Sequence, residues 1–329
     1  MKVAINGFGR IGRGVMRLLA TDADVEVVAI NDISEHEPLA YLMKYDTVMG
    51  RFEHELKLEG DDLTAGRQRA RLTRCAEPSE LPWKELGVDI VIEASGRFRE
   101  RAELEQHLAA GAAKVLLTVP AKDEIDATIV LGVNDAELDG AHRIVSNASC
   151  TTNCLAPLVK VIDERFGLVR GLMTTVHAYT NDQRLADWSH KDLRRSRAAG
   201  ENSIPTTTGA ARAVGQVLPQ LKGRLDGMAV RVPVPDGSIV DLVATVEAEV
   251  SVEAVNAALR EASEGPMRGV LEYSTEALVS CDIVGNPHSS IFDAPLTRAA
   301  GHTLKVFSWY DNEWGYTNRV VELAKRMAA

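Results

Sequence analysis

Cysteine is scarce in this chain: Cys75, Cys150, Cys154 and Cys281 are the only four in 329 residues. That excludes a disulfide framework, which needs dense, paired cysteines. No CxxC pair occurs and no histidine cluster accompanies the cysteines at metal-ligand spacing, so no bound metal is expected. Aromatics make up 5% of the residues, too few for a carbohydrate-stacking surface. Basic residues are outnumbered, 37 against 47 acids, for a net charge of −10. A general nucleic-acid or membrane role is therefore not expected, because phosphate backbones demand a basic excess. The longest apolar runs fall far short of a membrane span. No charged segment with an apolar stretch precedes Val3-Ala4-Ile5, so no signal peptide is expected and the cytoplasm is the expected location.

What is present reads as two domains. Short apolar runs at Val3–Asn6, Val25–Asn31, Val88–Ala94, Lys114–Val119, Thr128–Val133 and Ile144–Ser146 have the pattern of buried strands. Helical periodicity at Ile11–Ala20 and Arg101–Ala112 supplies crossovers, which implies a mostly parallel, doubly wound (Rossmann) α/β domain. The pattern changes after Cys150. Cys150–Phe166 reads as one helix, followed by strands at Gly171–Ala178, Gly227–Val234, Ile239–Val250 and Thr303–Tyr310, with a helix at Val252–Ala262. That predicts an α+β domain with a mostly antiparallel sheet. The expected division is 1–149 and 150–311, with a C-terminal helix over 318–327 returning 312–329 to the first domain. The polar, Arg-rich stretch Tyr179–Ser203 has neither period, and a loop that long inside a compact domain is usually functional.

Gly7-Phe8-Gly9-Arg10-Ile11-Gly12 is a G-x-G-x-x-G element between a predicted strand and a predicted helix, the context a dinucleotide site requires. The glycines allow a tight turn and close approach of a pyrophosphate, and the helix N-terminus offers unpaired N–H groups. Asp32 ends the second strand. An acid there accepts hydrogen bonds from a ribose and disfavours a 2′-phosphate. Ser95-Gly96 and Thr118 lie at further strand carboxyl ends, where ligands bind in this architecture.

Ser146 through Cys154 is the most informative stretch. It places Cys150 at a helix start, where the dipole stabilises a thiolate. Ser149 and Thr151 flank it with hydroxyls suited to an oxyanion or phosphate. Cys154 falls one turn on and reads as helix packing; Cys75 and Cys281 read as small buried apolar residues. His177, on a strand, is a candidate base for the thiol. Arg184, Lys191, Arg194, Arg195, Arg197 and Arg231 form a local basic excess. Thr206-Thr207-Thr208-Gly209 precedes a helical segment, a phosphate-binding chemistry.

These stretches, together with Thr174–Thr180, Ile204–Ala211 and Trp309–Glu313, resemble the phosphorylating glyceraldehyde-3-phosphate dehydrogenases over essentially the whole chain. The resemblance implies a cytoplasmic homotetramer in glycolysis or gluconeogenesis that uses NAD, glyceraldehyde 3-phosphate and inorganic phosphate. It makes Cys150 the nucleophile and His177 its partner. It implies cofactor contacts at Arg10, Ile11, Asp32, Thr118 and Asn312, beside Gly7, Gly9 and Gly12. It implies an inorganic phosphate site at Ser149, Thr151, Thr208 and Gly209 with Arg195, or with the nearby Arg197. A substrate-phosphate site is implied at Thr180 and Arg231, with Asp182 nearby.

Three positions depart from that pattern: Met49 where His is common, Ala76 where an arginine often meets the adenine side, and Trp188-Ser189 where strictly NAD-using bacterial members have Leu-Pro. Ser189 leaves NADP use open while Asp32 favours NAD. The sister family of erythrose-4-phosphate dehydrogenases shares the Cys and His, but typically lacks a Thr-Gly pair where this chain has Thr208-Gly209.

Overall fold

A computed structural model describes all 329 residues. The chain divides into two compact units. The first comprises Met1–Ile129, Asp135–Ser149 and Thr317–Ala329; the second comprises Val130–Asn134 and Cys150–Tyr316.

The first unit is built on a nine-stranded sheet. Its order is Ala127–Thr128, Ile144–Ser146, Lys114–Leu117, Ile90–Glu93, Lys2–Asn6, Glu26–Asn31, Gln68–Thr73, Asp62–Ala65 and Leu56–Glu59. The first seven strands run parallel, and the last two add an antiparallel meander at one edge. The central strand Lys2–Asn6 has burial on both faces, as parallel strands covered by helices do. The chain leaves it to one side, through Glu26–Asn31, and later crosses to its other side at Ile90–Glu93, so the sheet has its topological switch point at the carboxyl ends of Asn6, Asn31 and Glu93.

A buried polar knot holds that edge. The fully buried Glu93 carboxylate accepts from Asn6 Nδ2 (2.5 Å), the Ser95 N–H (2.8 Å) and His107 Nε2 (3.0 Å). Trp83 Nε1 donates to His107 Nδ1 at 3.0 Å, which fixes the His107 proton on Nε2.

The second unit packs helices against an eight-stranded sheet. Its main order is Ile204–Thr207, Leu225–Val232, Leu168–Ala178, Ser238–Val246, Thr303–Tyr310, Ser290–Asp293 and Leu271–Ser274; Arg298–Ala300 pairs on the side with Thr303–Tyr310. Most pairs are antiparallel, with two parallel exceptions. Along Leu168–Ala178, Met173, Thr175 and His177 turn inward and Leu172 outward, the period-two alternation of a sheet covered on one face. The Cys150–Phe166 helix has eleven buried residues, so it lies inside the unit with most of its circumference covered.

Several expectations need correction. Thr128–Val133 is not one strand: only Ala127–Thr128 pairs. Val130–Asn134 forms a turn in which Asn134 Oδ1 accepts the Val130 N–H at 2.8 Å. The meander over Leu56–Thr73 was not anticipated, because its short polar strands carry a weak apolar signal. The last helix starts at Trp314 rather than Asn318. Asp311 Oδ1 accepts the N–H groups of Glu313 and Trp314 there, an N-capping arrangement. Cys75 is only half-buried, though it packs against a core cluster around Trp83; Cys281 is exposed, against expectation, and Cys154 is buried.

Candidate active site

In the first unit, the glycine loop leaves Asn6 and enters the Arg10–Leu19 helix. Gly7 has φ 94°, and a Cβ there would lie 2.5 Å from Ser95 Cα. A Cβ on Gly12 would lie 2.1 Å from the Gly7 carbonyl oxygen, so these two glycines are needed for the turn itself. Gly9 differs, because a Cβ there would meet nothing within 4 Å. Packing therefore does not require glycine at this position. The first-turn N–H groups of the helix have no intrahelical acceptor and are suited to phosphate oxygens. Asp32 Oδ2 accepts the Phe8 N–H at 2.8 Å, and its Oδ1 accepts the Ser34 N–H at 2.9 Å. These bonds tie the acid to the glycine loop. A cleft of about 360 Å³ opens there, lined by Gly7, Gly9, Asp32, Ser34, Ala76 and Ser95 among others. Its glycine cradle, helix N-terminus and acidic strand end fit a dinucleotide.

Other cofactor candidates are placed differently from the loop. The Arg10 guanidinium pairs with Asp46, so its side chain is engaged away from the helix start. The Thr118 hydroxyl donates to the Glu93 carbonyl at 3.0 Å. Asn312 belongs to the second unit, where it is buried and its Oδ1 accepts from Ser238 Oγ at 2.6 Å. Ala76 lines the cleft. The Met49 N–H bonds Asp46, which leaves its departure from the family pattern unexplained.

In the second unit, Cys150 is the first residue of its helix. The chain reaches it through Ala148, the one non-glycine residue with positive φ, at 56°. The Ala148 N–H bonds Ser146 Oγ at 3.0 Å, which holds this left-handed step in place. Cys150 Sγ faces His177 Nε2 at 3.6 Å. The other imidazole nitrogen, Nδ1, touches both the Ala178 carbonyl oxygen (2.7 Å) and Arg231 Nη1 (2.8 Å). The Tyr310 ring stands edge-on to His177, with centroids 5.8 Å apart.

The electrostatics differ from the expected dipole-stabilised thiolate. Burial pushes the Cys150 thiol up from its ordinary value; the Arg231 charge and the Thr151 hydroxyl and N–H oppose this without reversing it. Burial, and then the Arg231 charge, lower His177 to about 3. Desolvation thus opposes the charged form of both groups, against the pull of the helix dipole on the thiolate.

The Thr151 hydroxyl also departs from the simple picture of an exposed phosphate seat. It is buried and lies 2.9 Å from the Tyr310 hydroxyl, which in turn is 2.8 Å from Thr175 Oγ1. Tyr310 was not anticipated as part of the site; its register opposite Ser238 is a tertiary fact with no sequence marker.

The polar loop sorts its arginines. Arg195 pairs with Asp182, donates through Nε to Thr206 Oγ1 (2.9 Å) and reaches the Thr207 carbonyl (3.3 Å). Arg197 instead pairs with the exposed Asp187. The Thr180 hydroxyl donates to Asp182. Burial alone would raise Asp182, but the Thr180 hydroxyl and the Arg231 and Arg195 charges hold it below the usual carboxylate range. Thr208 Oγ1 accepts the Ala210 N–H at 3.2 Å just before the Ala210–Val217 helix, while a Cβ on Gly209 would meet open space. Arg231 is half-buried and donates through Nη1 to the Ala178 carbonyl at 3.0 Å. Burial presses its guanidinium down from its ordinary value. No ion pair neutralises it, and its buried Nε has no partner.

Comparisons with known proteins agree on one family. Residues 1–101 match the model of the glyceraldehyde 3-phosphate dehydrogenase NAD binding domain, and residues 149–312 match that of the C-terminal domain. The chain is 54% identical to the glyceraldehyde-3-phosphate dehydrogenase of Mycobacterium avium, over 98% of this chain and 97% of that protein. It is 55% identical to the proteins of that name from Mycobacterium tuberculosis and Streptomyces coelicolor, over the same shares of each chain. With an NAD binding domain, a thiol–imidazole pair and this likeness along nearly its full length, the chain belongs to the glyceraldehyde 3-phosphate dehydrogenase family.

Proposed function

We propose that this chain oxidises D-glyceraldehyde 3-phosphate to 1,3-bisphosphoglycerate with NAD and inorganic phosphate. The observation that carries the reading is the 3.6 Å contact between Cys150 Sγ and His177 Nε2 at a helix start. Sγ adds to the aldehyde carbon to give a thiohemiacetal, and His177 Nε2 takes the hydroxyl proton as that carbon is oxidised. Bound NAD supplies the hydride acceptor. The Cys150 thioester is then cleaved by inorganic phosphate, which keeps the oxidation energy as an acyl phosphate that hydrolysis would lose.

Arg195, Thr208 and Gly209, with Ser149 and Thr151, receive the incoming phosphate in this reading. A hydroxyl chain from Thr175 through Tyr310 to Thr151 supports the part of Thr151, because it holds that hydroxyl in place beside Cys150. Thr180 and Arg231 receive the substrate's own phosphate, with Asp182 fixing Thr180 and Arg195. The unneutralised charge of Arg231 supports that part. Asp32 takes the ribose hydroxyls, and its charge favours NAD over NADP. The backbone at Arg10 and Ile11 meets the pyrophosphate beside Gly7, Gly9 and Gly12, Thr118 lies at the strand edge, and Asn312 offers its Nδ2 to the nicotinamide carboxamide.

A homotetramer fits the surface. Leu172, Val243 and Met228 are exposed on one face of the second unit's sheet, and Leu185, Trp188 and Leu193 are exposed on the polar loop. Clustered apolar exposure of this kind marks protein–protein contacts. A reducing cytoplasm suits four unpaired cysteines, and no helix is long and apolar enough to cross a membrane. The acyl-transfer chemistry runs in either direction, for a glycolytic or a gluconeogenic role.

Initial rates test the reading. Turnover of glyceraldehyde 3-phosphate should require inorganic phosphate and proceed faster with NAD than with NADP. Faster, phosphate-independent oxidation of erythrose 4-phosphate would contradict it.

A further inference from the structure

Four strand ends beneath the first unit's cleft are joined through their side chains. Asn31 Nδ2 donates to the Cys75 carbonyl and Asn31 Oδ1 accepts the Cys75 N–H, both at 2.9 Å, so the Asn31 amide has a single orientation. Its Nδ2 also donates to Asn6 Oδ1 at 2.8 Å, which leaves Asn6 Nδ2 to donate to Glu93 Oε2 at 2.5 Å. From the other side, Trp83 Nε1 can only donate. His107 therefore accepts at Nδ1 and directs its Nε2–H at the same Glu93 oxygen. Glu93 Oε1 accepts the Ser95 N–H at 2.8 Å and the Ser95 hydroxyl, which itself accepts the Arg97 N–H at 3.1 Å. Position 93 thus meets fixed donors on both sides. A carboxylate accepts on both; an amide would set its own N–H groups against a donor at whichever end its nitrogen lay. Glu93 and His107 are fully buried, and Asn6 and Asn31 nearly so, which keeps water from relieving such a clash.

We propose that Glu93 is a positioning residue for the dinucleotide, holding the loops of the cleft at the spacing the cofactor needs. This deepens the function proposed above and rests on its reading of the cleft as the seat of NAD. Each linked residue stands at the root of a segment that lines the cleft: Asn6 before the glycine loop, Asn31 before Asp32, Glu93 before Ala94-Ser95, and Cys75 before Ala76. Backbone bonds continue the linkage, from the Gly7 N–H to the Asn31 carbonyl and from the Ala94 N–H to the Asn6 carbonyl, each at 2.7 Å. Clearance is also small. A Cβ on Gly7 would lie 2.4 Å from the Ser95 nitrogen, so the glycine loop and the Ser95 turn bear directly on each other. A Ser95 turn released from Glu93 would therefore disturb the surface offered to the pyrophosphate. Glu93 itself lies beneath the cleft and acts only through these loops. NAD entering a loosened cleft would first have to restore the closed spacing, so the cost of the unpaired donor would appear in the affinity.

Calorimetric titration of NAD into the whole protein tests this. Glu93→Gln keeps the shape of the side chain and should raise the Kd for NAD about tenfold, the effect of one buried donor left unpaired. Asn6→Asp alone should raise it as well, because two acceptors then meet in place of the 2.5 Å bond. Combining the two substitutions restores a donor and an acceptor there, the new amide donating to the new carboxylate. The pair should bind NAD about threefold or more tighter than Glu93→Gln, a coupling expected only of groups in contact. A role in folding alone would lower the melting temperature of the variants and leave the Kd of the folded molecules unchanged. A Kd for Glu93→Gln within about twofold of wild type overturns the proposal, and so does a pair that binds no tighter than Glu93→Gln. Should Glu93→Gln alone not fold, a folded, NAD-binding pair supports the proposal, and a pair that also fails to fold overturns it. Asp32→Ala, a change in the cleft itself, separates this from the parent reading. If it leaves the Kd unchanged, that reading of the cleft fails and the proposal with it. If Asp32→Ala weakens binding and Glu93→Gln does not, only the proposal fails.

Discussion

Ser238 Oγ donates to Asn312 Oδ1 at 2.6 Å while accepting the Ala178 N–H at 3.1 Å. One hydroxyl therefore orients the Asn312 amide and ties it to the residue beside the His177 imidazole. With Oδ1 held, the two Nδ2 protons are the groups Asn312 can offer a cofactor amide. Ser238→Ala is expected to weaken NAD binding by roughly fivefold, about 1 kcal/mol, the usual worth of one hydrogen bond. Titration of NAD by protein fluorescence checks this, and an unchanged affinity would remove Ser238 from the account.

The loop glycines should separate folding from binding. Gly9→Ala adds a methyl to open space in an extended conformation, so thermal stability should change by no more than about 0.5 kcal/mol while NAD affinity falls. Gly12→Ala drives a Cβ to within 2.1 Å of a backbone oxygen and should lower both. Calorimetric melts with and without NAD distinguish the two; equal behaviour of the two variants would contradict the division.

Arg195 and Arg197 sit two residues apart and should behave oppositely. Arg195→Leu removes the group joining Asp182 to Thr206 and Thr207, and should cut turnover at limiting phosphate by about tenfold or more, in line with loss of a charge-assisted contact. Arg197→Leu breaks an exposed pair, for which about 0–1 kcal/mol is usual, and should leave the phosphate dependence unchanged.

Asp236 and Asp311 form a buried acid pair behind this site. Asp311 accepts the N–H groups of Gly285, Glu313 and Trp314. Burial, then the Asp311 charge and hydrogen bond, push the Asp236 carboxyl up. An acid whose folded value is raised stabilises the fold below its unfolded value, about 4, and loses that contribution as pH rises. Asp236→Asn should therefore raise the melting temperature, by about 2–4 °C for each kcal/mol recovered, and more at pH 8 than at pH 5. An equal or opposite change at the two values would contradict the pairing.

His177 has the opposite sign. Its folded value lies near 3 against an ordinary 6.5, so the unfolded chain takes up the extra proton between those limits. Its effect on stability is flat above about 6.5 and destabilising as pH falls toward 3. Urea melts of wild type at pH 7 and 5 should show a loss that His177→Asn partly abolishes; an identical loss in both proteins would put the acid sensitivity elsewhere.

Local signals and long-range ones were not equally legible in the sequence. The glycine loop, Cys150 at its helix start and His177 on its strand follow from short patterns, and the structure places all three on those elements. The mostly parallel character of the first sheet follows from crossovers, but the meander over Leu56–Thr73 does not, because half-exposed polar strands lack an apolar run. Within the site, what escaped depends on register. Tyr310 reaches Thr151 and Thr175 across the sheet, and Asp236 meets Asp311 from a distant turn. The thiol's raised value escaped for the same reason, since the helix start is visible in sequence and its enclosure is not. Arg195 and Arg197 have like neighbours in sequence; only the fold sends one to Asp182 and the other to Asp187.

The central claim is that Cys150 carries the substrate as a thioester until phosphate removes it. Mixing the protein with glyceraldehyde 3-phosphate and NAD in the absence of phosphate, then measuring intact mass and mapping the adduct, tests it most directly. The account predicts one phosphoglyceroyl group per chain, on Cys150, which disappears on adding inorganic phosphate as an acyl phosphate forms. A chain that stays unmodified while NAD is reduced, or an adduct on another residue, would contradict it.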